Sequence, residues 1–502
     1  MLIWAIYLVL GFFAMSLIRV VAISVLSFTY LRRRPPLSHL PAPPQLNASW
    51  PSVVVQLPVY REHTVLDRLL AAVVKMEYPA GLMVVQVLDD SEEREASVAA
   101  EIVGRYRNGP VRVEYVHRAQ RTGYKSGALN YGLRMTYCDL IAIFDADFIP
   151  RPDFLLKTVP LFQDEKVGGV HTRWSHLNDW ESPLTMMQAA VLDTLFCFEN
   201  GIRQAMGESS MYLGTSGVWR KSVVEKVGGW NEGLFTDDGI DMSYRAQLGG
   251  WSVAYVDEPL SSSELPDTYL AYKSQQRRWA RAALRLFMDY WRYAFTQERS
   301  KRSVGSRLLE VSLLHLVFST PFLLLAALFT GIHIVLGLPR STGWLAAQLA
   351  LTGVLLLFPP AIEVLLSQKL LYRDWPRRCL FALRALPLAI GLSVSVLAGF
   401  IDTIKRSRAE FVTTPKQGAE AVVQSSKERW LQTAERIAGV ELLIALLSFA
   451  ALILAVVRGY PESGFLFLWL SGAFLVAGGT SVREIWRMRA RLQAQSTGVS
   501  GG

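Results

Sequence analysis

Three acidic stretches of this chain have the residue types and spacing to act on a phosphorylated substrate. "IFDADF" sets Asp145 and Asp147 two residues apart in an extended segment, so both carboxylates point the same way around small Ala146. Paired carboxylates repel unless a cation lies between them, and hard divalent ions take one or two acids and complete their shell with substrate phosphates. The pair suits Mg2+ or Mn2+ bridged to a diphosphate; the alternative is a solvated strand end. "VLDDS" ends a strand with Asp89 and Asp90, which serve either a turn and helix cap or hydrogen bonds to a nucleoside. "LFTDDGIDMSYRAQLGGW" places Asp237 and Asp238 before an amphipathic helix, where they complement the helix dipole or supply a general base.

Groups that could meet an anion or a flat ligand accompany the acids. "RTGYKSGALNYGL" puts Gly123, Lys125 and Gly127 at a helix start, either a plain glycine-bearing turn or backbone N–H groups and an ammonium aimed at phosphate oxygens. "MYLGTSGVWRKS" offers a tight loop at Gly214, Thr215 and Gly217, with Trp219 as a stacking surface, or merely a helix entry. In "YKSQQRRWARAALRLF", Gln275, Arg278 and Trp279 lie at i, i+3 and i+4 on one helix face. There guanidinium can pair diphosphate oxygens while indole stacks on a sugar. Arg277 and Arg281 are left to a membrane-surface collar.

The elements that must position these residues alternate short apolar runs with amphipathic stretches from 50 to 290. "SVVVQLPVY", "MVVQVLDDS", "VRVEYVHR" and "LIAIFDADF" read as strands, with helices such as "TVLDRLLAAVVKM" between them. This predicts an α/β domain with a mostly parallel sheet and helices on both faces. Right-handed crossovers would bring the strands' carboxyl ends, Pro58–Glu62, Asp89–Ser91 and Asp145–Asp147, to one ligand-binding edge. No GxGxxG follows the first strand and no GxxxxGK[ST] occurs in the domain, so a dinucleotide fingerprint and a P-loop are unsupported.

Hydrophobic residues make up 51% of the 502 residues, mean hydropathy is +0.24, and the apolar residues come in blocks. Residues 1–30 read as a retained transmembrane anchor, 31–49 as a cytoplasmic linker and 291–307 as an interfacial linker. Residues 308–372 and 438–482 each read as two transmembrane helices. The block 380–404 has basic clusters at both ends, which predicts a re-entrant or interfacial segment. Residues 405–436 and the tail 483–502 then face the cytoplasm, giving five crossings where hydropathy alone counts six. The net charge of +9 gathers beside apolar blocks, as cytoplasmic span ends require, so it does not mark a nucleic-acid binder. Cys138, Cys197 and Cys379 are scattered with no CxxC, against a disulfide framework or a structural zinc site.

"LDDS", "DAD", "TDD" and "QQRRW", in that order on one domain between spans, resemble the D, D, D, QxxRW pattern of family 2 glycosyltransferases of the cellulose-synthase-like type. The wording around them looks most like the glucomannan (β-mannan) and xyloglucan-glucan synthase branches and their bacterial relatives. The resemblance implies a GT-A domain, with Glu62, Asp89 and Asp90 at the nucleoside and Lys125 in the donor pocket. Asp145 and Asp147 would hold donor and metal, and Gln275, Arg278 and Trp279 the diphosphate and acceptor. "EFVTTPKQG" resembles the gating loop FxVTxK, with Phe411, Thr414 and Lys416 retained. The family's TED is followed by one residue and then an acid, whereas Gly239 intervenes here. We read Gly239 as an insertion, with Asp238 the base and Asp237 the alternative.

The implied activity is transfer of hexose from UDP-glucose, GDP-mannose or a similar donor to a growing polysaccharide, with inversion and coupled to export. Acceptor glycan and membrane lipids are the implied partners, with nucleic acid excluded. The expected site is a bacterial inner or plasma membrane rather than the Golgi. A non-processive glycolipid synthase is the alternative, and a transporter or sugar sensor with a degenerate domain the second.

Overall fold

The computed structural model describes residues 49–234, 238–295, 323–337, 361–405 and 424–496. The expected anchor 1–30, Asp237, and the gating-loop residues Phe411, Thr414 and Lys416 lie outside them.

The strands are β1 (Val53–Val59), β2 (Met83–Asp89), β3 (Arg112–His117), β4 (Leu140–Ile143), β5 (Phe148–Pro150), β6 (Val167–His176), β7 (Gly217–Arg220) and β8 (Ser252–Ser263). They form one sheet in the order β3-β2-β1-β4-β7-β6-β8-β5. The helices of this domain are α1 (His63–Val73), α2 (Glu93–Gly104), α3 (Tyr124–Met135), α4 (Phe154–Thr158), α5 (Pro183–Thr194), α6 (Ile202–Ala205), α7 (Lys221–Lys226), α8 (Asp238–Leu248) and α9 (Tyr269–Phe295).

The half of the sheet from β3 to β4 is parallel as expected. The other half is mixed: β7 runs antiparallel to both β4 and β6, and β5 antiparallel to β8.

Alternation along each strand feeds two cores. Val53, Val55 and Leu57 of β1 pack on one face with Val85, Val87 and Ala142. Val54 packs on the other with Ile141, Ile143, Leu129 and Leu133. Coverage of both faces is why these strands read as unbroken apolar runs. The β1–β2 register matches Val59 with Asp89, and β1–β4 matches Gln56 with Ile143. Tyr60, Asp90 and Asp145 therefore follow at one edge.

Beyond the domain lie α10 (Leu323–Val335), α11 (361–371), α12 (Trp375–Leu383), α13 (Leu386–Ile404), α14 (Gln424–Val457) and α15 (Pro461–Ser496). Among the described residues three helical stretches are long and apolar enough to cross a membrane: Leu386–Ile404, Trp430–Val457 and Ser463–Gln493. The block 380–404 comprises the end of α12 and the unbroken α13.

The fold joins its halves through α9. Gly391, Ser395, Gly399 and Thr403 recur every four residues along α13, a small-residue stripe that admits close helix contact. A Cβ on Gly391 would lie 2.5 Å from the Tyr269 hydroxyl, and one on Gly399 2.5 Å from the Arg277 carbonyl. Tyr269 donates to the Leu388 carbonyl, Thr403 to the Arg281 carbonyl, and Arg277 pairs with Asp402 at 2.7 Å. Arg277 is thus engaged by a helix rather than left to a basic collar.

The start of α9 is held by the last two helices. Glu484 accepts from the backbone N–H groups of Tyr269 and Leu270, two donors that no turn of helix satisfies. Buried Lys273 donates to both oxygens of buried Glu441, at 3.0 and 3.1 Å, and to Ser481.

Replacing Lys273 with Met strands the Glu441 carboxylate and should cost about 3–5 kcal/mol, whereas Lys273→Met with Glu441→Leu should restore much of the loss. Thermal unfolding of the full chain in detergent measures both. A second expectation concerns His171, fully buried on β6, whose pKa burial pushes down to about 3. Between its ordinary value and that one the unfolded chain binds a proton the folded chain refuses, so stability falls as pH drops from about 6.5. The fall in unfolding midpoint between neutral and acid pH should be shallower in His171→Gln than in the unaltered protein.

Candidate active site

The site begins where β1 and β2 end. Arg61 takes a left-handed backbone at φ 56°, and its N–H donates to Ser91 Oγ at 2.8 Å while the Asp90 N–H donates to the Val59 carbonyl. These bonds fix the two strand ends side by side. Glu62 occupies the position before α1 without capping it through its side chain.

The two acids after β2 divide their roles. Asp89 is fully buried and accepts from the Ser91 N–H and the Tyr115 hydroxyl, both at 2.8 Å, so it satisfies the turn reading. Asp90 takes a bidentate guanidinium from Arg118, Nε at 2.6 Å and Nη2 at 2.5 Å. Burial pushes the Asp90 carboxyl up in pKa, and Arg118 opposes that shift. Neither acid caps α2, whose first position follows Glu92. Beside them the Arg121 guanidinium lies 3.3 Å from the Tyr60 ring centroid and 5.0 Å from that of Tyr124, a stacked cation of the kind that makes flat surfaces at binding clefts.

The start of α3 reaches toward β4. Gly123 stands before the helix in the left-handed region, φ 69°. Lys125 Nζ lies 2.6 Å from Asp145 Oδ1 and 2.7 Å from the Gly214 carbonyl. Thr215 Oγ1 accepts from the Asp145 N–H at 2.9 Å. Lys125, Asp145, Gly214 and Thr215, picked from three separate stretches, therefore form one cluster. Asp145 and Asp147 are partly exposed and Ala146 is buried, the alternation expected of an extended pair.

Gly239 joins α8 to this cluster. A Cβ there would stand 2.6 Å from the Gly214 nitrogen and 2.6 Å from Tyr212 Cδ1, so the first turn of α8 is pressed onto the Gly214 loop. No side chain fits at that position, which excludes an acid from it. The backbone of Asp238, the first residue of α8, is thereby brought to the loop.

Trp219 is corrected by the structure. It is fully buried on β7 against Tyr212, with ring centroids 5.3 Å apart, and its ring fills the space that a Cβ on Gly169 would need. It is a core residue and presents no surface for stacking. Gln275, Arg278 and Trp279 are half-buried on α9, and Trp279 packs against the core that contains Phe144 and Phe148, the residues flanking the Asp145–Asp147 pair. Sequence reading passed over Arg118 and Arg121, and included Tyr60 only within the strand end Pro58–Glu62. The signal for the two arginines was the basic run "HRAQR" directly after β3, at the same edge as the acids.

Two carboxylates with hard oxygen donors, partly open to solvent and next to a lysine, fit a divalent cation that draws its remaining ligands from phosphate and water. Among the described residues no cluster of three or more His, Cys, Asp or Glu could hold a metal by itself, so the pair fits such a shared site rather than a closed protein cage.

Residues 51–282 match the family described as "Glycosyltransferase like family 2", and the domain has a GT-A-like fold. "Probable glucomannan 4-beta-mannosyltransferase 6" of Oryza sativa subsp. japonica is 39% identical over 253 residues, covering 49% of this chain and 43% of the relative. "Glucomannan 4-beta-mannosyltransferase 7" of Arabidopsis thaliana is 38% identical over 238 residues, covering 46% and 43%. The chain thus spans less than half the length of these two relatives. Among solved structures, the mannosyltransferase PcManGT from Pyrobaculum calidifontis, in complex with GDP-Man and Mn2+, shares the fold at 17% identity and a TM-score of 0.53, covering 80% of this chain and 100% of that one.

The contact at Gly239 is open to direct test. Gly239→Ala should destabilise the protein by about 1–3 kcal/mol through overpacking, and Gly239→Asp by more, read from unfolding midpoints in detergent.

Proposed function

We propose that this protein is a membrane-integrated, inverting β-glycosyltransferase that moves hexose from a UDP- or GDP-linked donor to the end of a growing polysaccharide. The observation that carries the reading is Lys125, which bridges Asp145 to the carbonyl of Gly214, the same loop against which the first turn of α8 is pressed. A cation, acids and a tight loop so gathered suit a leaving diphosphate and an attacking hydroxyl. The glucomannan mannosyltransferase names of the relatives support the polysaccharide acceptor.

In this reading Asp238 takes the proton of the acceptor hydroxyl as its oxygen attacks the anomeric carbon; Asp237 is the alternative base. The new carbon–oxygen bond forms opposite the breaking one, whose electron pair leaves on the nucleotide diphosphate, so an α-linked donor gives a β product. Lys125 and Arg278 hold the diphosphate, with Gln275 beside them. Glu62, Asp89 and Asp90 serve the nucleoside side, where Asp89 acts by holding the turn. Asp145 and Asp147 would hold Mg2+ or Mn2+, which when bound neutralises diphosphate charge. Gly214 and Trp279 face the acceptor sugar, whereas Thr215 is buried with its hydroxyl accepting from the Asp145 N–H and acts by holding the loop.

The membrane arrangement belongs to the same proposal. The domain 50–290 lies on the cytoplasmic side, 438–482 crosses the membrane twice, and 380–404 lies in the interface, where α13 can follow α9. The loop bearing Phe411, Thr414 and Lys416 then gates the donor site, and the spans conduct the product outward.

The test is incubation of the purified full chain with Mn2+ or Mg2+ and each of UDP-glucose, GDP-mannose and related donors. One donor should release nucleotide diphosphate and give a β-linked polymer. Asp147→Asn and Asp238→Asn should each lower turnover about 10²–10⁴-fold, the usual weight of a general base or of a lost transition-state charge. A lipid-linked single sugar would establish the glycolipid alternative, and no release from any donor would remove the transferase reading.

A further inference from the structure

The third acid of "DDGID", Asp241, has no part in the reaction described above, yet it is almost fully buried and satisfied on every side. Its Oδ2 accepts from Arg245 Nε at 2.8 Å and lies 2.6 Å from Nη2 as an ion pair, and its Oδ1 accepts from the Tyr290 hydroxyl at 2.7 Å and Asn231 Nδ2 at 3.4 Å. Arg245 in turn donates to the Val227 and Gly229 carbonyls at 2.7 and 2.6 Å. Tyr244 and Tyr290 stack with centroids 4.6 Å apart and planes within 16°. Asp241 and Tyr244 belong to α8, whereas Tyr290 lies near the far end of α9, the helix that carries Gln275, Arg278 and Trp279.

We propose that Tyr290 and Asp241 are positioning residues, a latch that fixes the start of α8 relative to α9 and so sets the distance between the proton-accepting acid and the residues that receive diphosphate and acceptor. The proposal rests on the sugar-transfer reading for its catalytic consequence. The physical argument is one of geometry. Asp238 lies one turn before Asp241 on α8, and a helix turn is stiff over such a distance. What holds Asp241 therefore holds the backbone of Asp238. A hydroxyl donating to an ionised, buried carboxylate is the stronger kind of hydrogen bond, and it spans 49 residues of sequence to join two elements that the sheet alone does not align. The other end of α8's first turn is set by Gly239 against Gly214 and by Ser243 Oγ, which donates to the Gly239 carbonyl and accepts from the Tyr212 N–H. The acid is thus referenced to the donor loop by one set of contacts and to α9 by the other.

The test compares Tyr290→Phe, which keeps the ring stack and loses only the hydrogen bond, with Asp289→Asn, which alters an exposed ion pair within α9. In the full chain in detergent, Tyr290→Phe should lower kcat about tenfold, the worth of one hydrogen bond to a charged group, with a slightly lowered unfolding midpoint and KM for the nucleotide sugar near that of the unaltered protein. Asp289→Asn should leave all three unchanged. Amide exchange should quicken in the peptide covering 238–248 in Tyr290→Phe alone. An unaltered kcat in Tyr290→Phe, or a raised KM with kcat intact, overturns the latch. If the unaltered protein transfers no sugar from any donor, the transferase reading falls by itself, and exchange then decides the latch: unchanged exchange in Tyr290→Phe overturns it.

Discussion

Acids collected at the carboxyl ends of parallel strands repel one another across a poorly solvated edge, so each must be held against a positive charge or a set of donors. That constraint shapes the edge described here. Asp90 lies on Arg118, Asp145 on Lys125 and Asp241 on Arg245, while Asp89, the most enclosed, accepts hydrogen bonds from a backbone N–H and a tyrosine hydroxyl. The pairs differ in accessibility. Arg118–Asp90 and Asp241 are almost fully buried, whereas Lys125 and Asp145 are about a third exposed. In the reaction proposed above, an arriving diphosphate would meet the exposed pair and draw the lysine from its carboxylate, freeing an Asp145 oxygen for a cation, while the buried pairs would hold the scaffold.

The same helix that borders the site also meets the membrane helices, and its contacts explain how one chain can hold both. Lys273 and the capped N-terminus of α9 engage Glu441, Ser481 and Glu484; Arg277 and Arg281 engage α13; Tyr290 engages α8. An apolar junction alone would leave α9 free to slide along α13, because greasy surfaces have little preference for register. Ion pairs and cap hydrogen bonds fix that register, and the glycines at 391 and 399 let the helix backbones approach closely enough for them to form.

Much of this was legible in the sequence because it depends on local pattern. Alternating apolar runs ending in acids located β1, β2 and β4, and their parallel order put Asp90 and Asp145 at one edge. Lys125, Asp145 and the Gly214 loop were each singled out by residue type, but their separation in sequence hid the contact between them. What was not legible depends on partners far along the chain. Trp219 looked like a binding surface since glycine and threonine precede it, yet strand direction at β7 turns it inward under Gly169. The mixed half of the sheet was likewise invisible, because a short strand carries the same residues whichever way it runs. Lys273 had no role in the sequence reading, and only the meeting with Glu441 makes it structural.

Gly239 shows how a departure from a family pattern can be judged on physical grounds. Counting backward from "GGW" put a glycine where an acid was expected, which left two explanations: a lost catalytic group, or an extra residue with the acid one place earlier. The close approach of Gly239 to the Gly214 backbone excludes an acid at 239 itself, since an aspartate there would collide with Tyr212 and Gly214 together, and the reading proposed here places the base at Asp238. Retaining the tight loop and retaining an acid at 239 are therefore mutually exclusive. The chain keeps the tight loop, the lysine bridged to it and an acid at the first position of α8, the parts that the proposed chemistry calls for.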